Sequence, residues 1–159
     1  KHPYNWNNWT AETKAAQGLV WEDEPASFDS RFYWAADLPK AINDVDAVDE
    51  DGEPLLDIDG NTVITKGLKS YAIATAKAQA AGLLSATDWY VTRKAETDTA
   101  IPADVLTYRA AVRTASGTIE NFITSAATHE ALMALYVTPV DADGMPTGNA
   151  PINDWPEVE

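Results

Sequence analysis

The spacing of apolar residues along the chain changes character near residue 66. Before that point, apolar residues form short runs rich in β-branched and aromatic side chains, as at 31–34 and 62–65. Runs of this kind, separated by turn-forming residues, are typical of strands. The Asp-Gly pairs at 51–52 and 59–60 indicate hairpin turns, and the second lies between two strand-like runs. The first part of the chain is therefore predicted to be β-rich, with a short helix capped by Thr10 and ending at Gln17.

After residue 66 the apolar positions follow a helical period. Small or aliphatic residues recur every four positions at Leu68, Ala72, Ala76, Ala80 and Leu84. This spacing gives one narrow face of an α-helix, and we expect that face to be buried in the chain's own core. A helix from a partner protein, packed closely against the small side chains, is the alternative.

Four more helices are predicted after this one. The first begins at the capping box 85–88 and runs to about residue 96, and the next opens at Ile101-Pro102. We expect Gly117 to separate that helix from a fourth amphipathic stretch. Thr128 is the predicted cap of the last helix, which carries Leu132 and Leu135.

These patterns predict an α+β fold. It has a small β-rich N-terminal part built of hairpins, a helical C-terminal part of about four to five short helices, and an irregular tail. The predicted boundaries are 1–65 for the N-terminal arm and β-rich part, 66–136 for the helical domain, and 137–159 for an extended acidic tail. We expect Trp155 to decide whether that tail is ordered, because terminal segments without an anchor usually fray. No internal repeat at a fixed period is expected.

Charge narrows the choice of partner. The chain of 159 residues carries 25 acidic and 11 basic side chains, a formal net charge of -14, with no basic residue from 41 to 65 or after Arg113. Nucleic acids and anionic membranes bind through clustered Lys and Arg, so we expect neither as a partner and expect proteins instead. Each acidic stretch could also be a solvated face that keeps the chain soluble. No apolar run reaches the length of a membrane span.

The residue types available limit the chemistry. With no Cys and two His, the chain cannot build a cysteine-type or three-histidine zinc site. No nucleophile elbow or nucleotide-binding motif is present, and the Asp-rich turns have the wrong spacing for an EF-hand. We therefore expect no enzymatic activity, no catalytic residues, no metal and no cofactor. Because 25 carboxylates supply many pairs, a glycan-cleaving enzyme stays an alternative on composition alone.

Two segments resemble small proteins of tailed bacteriophages. Residues 9–20 and 28–34 resemble the front of phage proteins encoded among tail-fibre and tail-assembly genes. Residues 83–113 are similar to the phage tail assembly chaperone-like domain, whose signature is Leu-Leu, Thr-Asp-Trp, a proline, Tyr-Arg-x-Ala-x-Arg and a late Trp-Pro. The matching residues are Thr87, Asp88, Trp89, Arg93, Pro102, Tyr108, Arg109 and Arg113. Trp155 would match the late Trp-Pro, although two further predicted helices intervene here.

The resemblance implies a structural or assembly component of a tailed bacteriophage virion, in the tail, baseplate or tail-fibre region. It would be made in the host cytoplasm and located in the virion, with other tail proteins and possibly copies of itself as partners. Two alternatives are a transient tail or tail-fibre assembly chaperone and a glycan-binding receptor module at a fibre tip.

We expect the motif residues to stabilise the fold and four aromatic residues to contact partners. Trp89 is predicted to lie in the helical core, with Arg109 and Arg113 on a face away from the apolar one. Asp88 or Glu96 is predicted to pair with Arg93, Arg109 or Arg113. Exposed aromatics are common anchors in interfaces and can stack on sugar rings. The partner-binding candidates are Tyr4, Trp6, Trp9 and Trp155.

Overall fold

The computed structural model describes residues 8–19 and 27–157. The first helix, α1 (Ala11–Ala16), begins at Thr10, whose hydroxyl accepts a hydrogen bond from the Thr13 N–H at 3.2 Å. It ends before Gly18, which has a φ of 74° that costs glycine little. The predicted helix is therefore confirmed. The arm residues before residue 8, and most of the strand predicted at 19–21, lie outside the described residues.

The strands form two small antiparallel pairs ahead of the long helices. β1 (Tyr33–Ala35) pairs with β2 (Leu38–Pro39), and β3 (Val45–Asp46) pairs with β4 (Ile64–Thr65). The strand predicted at 31–34 thus lies slightly later in the chain. With strands preceding helices, the fold is α+β as predicted.

The helical part consists of α2 (Leu68–Ser85), α3 (Asp88–Thr97), α4 (Ala103–Ser125) and α5 (His129–Ala134), followed by a short 3-10 helix (Pro151–Asn153). α2 packs mainly against α4. The alanine face of α2 is buried at Ala72, Ala76 and Ala80, so its burial in the chain's own core is confirmed. The hydroxyl of Thr128 accepts from the Ala131 N–H at 3.2 Å and caps α5 as predicted.

Two helix boundaries differ from the prediction. Gly117 does not interrupt the chain, and a single 23-residue helix runs through it. A glycine inside a helix costs about 1 kcal/mol relative to alanine, and burial of Val112 before it and of Ile119 and Ile123 after it offsets that cost. The helix predicted from Ser85 begins instead at Asp88, because Ser85 is the last residue of α2.

The hydrophobic core joins all three predicted parts of the chain. Its buried members are Phe32, Ala72, Ala76, Ile119, Ile123, Ala126, Leu132 and Ile152. Ile152 also donates its backbone N–H to the Leu135 carbonyl at 3.0 Å, and Trp155 packs against the same cluster. The C-terminal segment is therefore attached to the core at Ile152 and Trp155.

Candidate functional site

A buried arginine fixes the turn between α2 and α3. Arg109, on α4, is only 6% exposed. Its Nη1 donates hydrogen bonds to the Leu84 carbonyl at 2.9 Å and to the Thr87 hydroxyl at 2.6 Å, and it lies 2.9 Å from a carboxylate oxygen of Asp88. A buried charge requires such partners because burial removes its hydration. The arginine therefore holds the end of α2 and the start of α3 against α4.

This contact tests the predicted ion pair and shows how Arg109 and Thr87 are used. The pairing of Asp88 with one of the three arginines is confirmed. Arg109 is buried although the helical spacing assigns it to a face other than the apolar one, and its Nη1 contacts oxygens of three residues. Thr87 is not a side-chain cap of α3, since its hydroxyl donates to the Leu84 carbonyl at 2.9 Å and accepts from Arg109.

Trp89 lies on the outer side of α3 and not in the core as predicted. Its side chain is 52% exposed. Adjacent residues of an α-helix are rotated by about 100° about the helix axis. Because Asp88 faces Arg109 on α4, its neighbour Trp89 is turned away from that contact.

An aromatic cluster with a cation over it occupies this outer side. The ring centroids of Trp89 and Tyr90 are 4.0 Å apart, and the guanidinium carbon of Arg93 lies 4.6 Å and 5.2 Å from them. We call these three residues the aromatic platform. A guanidinium over aromatic rings is attracted by their electron-rich faces. Within the part of the chain that the structure describes, the buried Nε of Arg93 has no hydrogen-bond partner.

The remaining motif residues surround the start and middle of α4. Pro102 is at the N-cap position of that helix, and Tyr108 is half-buried. Arg113 is exposed, and its Nη1 donates to the Arg109 carbonyl at 3.3 Å. Of the motif residues, Thr87, Asp88 and Arg109 therefore meet at the α2–α3 turn, where Arg109 makes the central contact.

The aromatic residues chosen as partner-binding candidates lie elsewhere. Trp9 is half-buried just before α1, whereas Tyr4 and Trp6 fall outside the described residues. Trp155 lines an open groove of about 420 Å³ along α4, together with Phe122 and Pro156. Their roles in partner binding stay predictions.

The acidic segment contains a repeat that the sequence analysis missed. Residues 47–54 and 55–62 are two consecutive octads that share a pattern, with Asp at the third and fifth positions and Gly at the sixth. In each octad the first Asp uses its side-chain oxygen to accept from the N–H groups two and four residues later, at 2.8–3.0 Å. The two glycines have φ of 85° and 81°. The Asp-Gly hairpin turns are therefore confirmed, and each is closed by its own aspartate.

Three strand segments of this region are joined in a ring of backbone hydrogen bonds. The Ala47 N–H donates to the Val63 carbonyl, the Val63 N–H to the Leu55 carbonyl, and the Leu55 N–H to the Ala47 carbonyl, each at 2.8 Å. Ala47 and Leu55 occupy the first positions of the two octads, and Val63 directly follows the second octad. We call residues 45–65, which contain the ring, the octad module.

The octad module is attached to the helical part through Asp44. Its carboxylate accepts from Lys66 at 2.8 Å, from the Gly67 N–H at 2.8 Å and from the Ser70 hydroxyl at 2.6 Å. The hydrogen bond from Lys66, followed by those from Ser70 and Gly67, lowers the pKa of Asp44 to about 2. Because it lies at the first turn of α2, the negative carboxylate is also favourably placed for the helix dipole.

A third copy of the turn lies near the C-terminus. Asp141 accepts from the N–H groups of Asp143 and Met145 at 3.0 Å and 2.9 Å, and Gly144 has a φ of 79°. Val140 and Pro146 form an isolated bridge, as Val48 and Pro54 do in the first octad. The local sequence Val-Asp-x-Asp-Gly-x-Pro therefore builds the same hairpin at two distant places.

Among residues 8–19 and 27–157, no group of three or more His, Cys, Asp or Glu side chains is arranged to hold a metal ion. Within the same ranges, no helix is long and apolar enough to cross a membrane. No protein-family model, curated protein or solved structure matches the chain.

Proposed function

We propose that this protein is a non-enzymatic structural or assembly component of a bacteriophage tail that acts through protein–protein contacts. The bacteriophage assignment is supported by the motif residues between 83 and 113. Contact with other proteins is supported by the aromatic platform, which is the single observation that carries the proposal.

The composition of the platform favours a protein partner. Trp, Tyr and Arg are the residue types most enriched among those that dominate binding energy in protein interfaces. Here all three are adjacent, and Trp89 leaves half of its surface exposed. A partner covering the Trp89 ring would gain apolar area from a side chain that has few rotamers to lose.

The platform is also held in place before any partner arrives. Arg109 fixes Asp88, and Asp88 precedes Trp89 directly in the first turn of α3. A residue on a fixed helix loses less conformational freedom on binding than one on a loop. The structural role of the motif and the proposed contact role are therefore compatible: Thr87, Asp88 and Arg109 orient the helix, and Trp89 and Arg93 make the contact.

The test is recovery of tail assemblies during infection by the phage that encodes the chain. A tagged chain is recovered with its bound proteins, which are quantified by mass spectrometry. We expect tail proteins to be recovered with the unaltered chain and about tenfold less with Trp89→Ala, which is an ordinary loss for one anchoring tryptophan. Trp34→Ala is the matched control, because Trp34 is also exposed and has Lys40 over its ring at 4.4 Å.

The outcomes separate the alternatives. Equal recovery with Trp89→Ala and Trp34→Ala, or recovery of no tail protein at all, would contradict the proposal. Copies of the chain in purified mature particles would identify a resident virion protein. Copies in assembly intermediates but not in mature particles would identify the transient chaperone.

A further inference from the structure

The octad module leaves its large apolar side chains uncovered. No residue from 44 to 66, a stretch that the structure describes completely, is buried. The exposed large apolar residues within it are Val45, Val48, Leu55, Leu56, Ile58, Val63 and Ile64. Proteins that remain monomeric rarely expose so many large apolar side chains in one short segment, and patches of this kind mark contact surfaces.

The module is ordered without a core of its own. Its backbone is held by the ring of three hydrogen bonds between Ala47, Leu55 and Val63 and by the turns that Asp49 and Asp57 close. None of these contacts uses an apolar side chain. The aliphatic side chains are therefore presented on a fixed backbone while remaining available to another surface.

The charge around these side chains specifies the partner. Seven carboxylates lie between residues 45 and 65, and no Lys or Arg does. Lys66, just outside, is paired with Asp44 at 2.8 Å. A surface that covers the aliphatic side chains must approach these carboxylates, so basic side chains on that surface would speed its approach and select it over neutral ones.

A second copy of this chain does not fit that description. Its formal net charge is -14, and within residues 8–19 and 27–157 ion pairs already engage Arg31, Lys66, Lys77, Lys94 and Arg109. Two modules facing each other would bring like charges together, at a cost in binding free energy.

We infer that the octad module docks on a different protein, through a surface with an aliphatic centre surrounded by Lys and Arg. This inference deepens the proposed function and rests on it, because it names a second contact surface and the chemistry of the partner that this surface takes. Apolar burial supplies the affinity, and the carboxylates supply selectivity and a dependence on salt.

The test selects binders without assuming their sequence. The full chain is used to select from a displayed library of random peptides of about 12 residues, long enough to add a strand or cover a small patch. The variant Leu56→Ser/Ile58→Ser alters the two most exposed aliphatic residues of the module. Peptides that also bind this variant are discarded, because they bind elsewhere on the chain. The peptides that remain are synthesised, and their Kd values are measured by fluorescence anisotropy at low and high salt.

We expect the selected peptides to be basic and to contain aliphatic or aromatic residues. Their affinity should fall about tenfold with Leu56→Ser/Ile58→Ser, since two exposed aliphatic contacts are lost. It should fall about threefold with Glu50→Gln/Asp51→Asn/Asp59→Asn and also at high salt. These three acidic side chains make no hydrogen bond within the described residues that closes a turn.

Matched variants guard against general effects of polarity and charge. Leu106→Ser/Val137→Ser removes two other exposed apolar side chains, and Asp37→Asn/Glu96→Gln/Glu157→Gln removes three other charges. Both should bind the peptides as the unaltered chain does, and circular dichroism should show all variants folded.

Three results would overturn the inference. If the selected peptides carried no net positive charge, the proposal of a basic partner surface would be contradicted. If the module variants and their matched controls bound the peptides equally, the module would not be the binding site. A dimer of the chain in light scattering that Leu56→Ser/Ile58→Ser abolishes would identify a second copy as the occupant. Each leaves the proposed function standing if Trp89→Ala still prevents recovery of tail assemblies.

Discussion

The helical part and the octad module use aliphatic residues in opposite ways. In the helical part, Val112, Ile119, Ile123 and Leu132 are almost completely buried between helices. In the module, Val48, Leu56, Ile58 and Ile64 are exposed although hydrogen bonds hold the module's backbone in place. The difference teaches that apolar pattern alone does not locate the core, because backbone hydrogen bonds and aspartate-closed turns can order a segment whose apolar side chains stay available to a partner.

Replacing an isoleucine in each region gives the largest expected difference. Ile123→Ala should lower the free energy of unfolding by about 2–5 kcal/mol, because it leaves a cavity in a closed core. Ile58→Ala, at a fully exposed position of the module, should change it by no more than about 0.5 kcal/mol. Urea denaturation followed by circular dichroism measures both. Equal losses would show that the module shares the core after all.

The second largest effect on the free energy of unfolding is expected from loss of the buried arginine. Arg109→Met should lower the free energy of unfolding by about 2–3 kcal/mol, because it leaves the Leu84 carbonyl and Thr87 hydroxyl without their donor. Asp88→Asn should cost less than about 1 kcal/mol, since that side chain is mostly exposed. Arg113→Met is the exposed control and should cost about 0.5 kcal/mol or less. If Asp88→Asn cost as much as Arg109→Met, the ion pair and not the buried hydrogen bonds would hold the turn.

The junction between the two regions depends on a glycine. A Cβ atom at Gly67 would lie 2.3 Å from the backbone of Asn43 and 2.6 Å from the Ile42 carbonyl oxygen. Gly67→Ala should therefore push the module's attachment off α2 and cost about 1–3 kcal/mol of stability. Gly117→Ala, inside α4 with open space around it, should instead add about 0.5–1 kcal/mol. A stabilising Gly67→Ala would show that this loop moves freely.

Low pH should weaken the contact between Asp44 and the first turn of α2. The pKa of Asp44 is lowered from 3.8 to about 2, so its contribution to stability is present above pH 3.8 and is lost as the pH falls through 3.8 to about 2. The melting temperature of the unaltered chain should fall over this interval more than that of Asp44→Asn, which lacks the titrating group. Asp46→Asn, at an exposed strand position, is the control and should keep the full dependence on pH.

Local features of the fold could be predicted from the sequence because neighbouring residues determine them. The caps at Thr10 and Thr128, the two Asp-Gly turns and the alanine face of α2 each depend on residues within a few positions. The octad repeat was also visible, since Asp-x-Asp-Gly recurs after eight residues at 49–52 and 57–60, but only a search at short periods would have found it.

Features set by contacts between distant residues could not be predicted in this way. Trp89 is exposed because Arg109, 20 residues later, turns α3 by binding Thr87 and Asp88. Likewise α4 continues through Gly117 because residues on both sides of it pack against α2. The helical period also does not indicate that a charged side chain such as Arg109 is buried. Its burial depends on hydrogen-bond acceptors from other elements.

The ring of Ala47, Leu55 and Val63 makes opening of the octad module cooperative. Each of its strand segments both gives and receives one of the three hydrogen bonds, so removing any one segment breaks two bonds and leaves the third alone. The three amide protons should therefore exchange with solvent deuterium at similar rates, as one unit. Because consecutive ring members are only eight residues apart, the loops between them close at small entropic cost, and the ring can form early in folding.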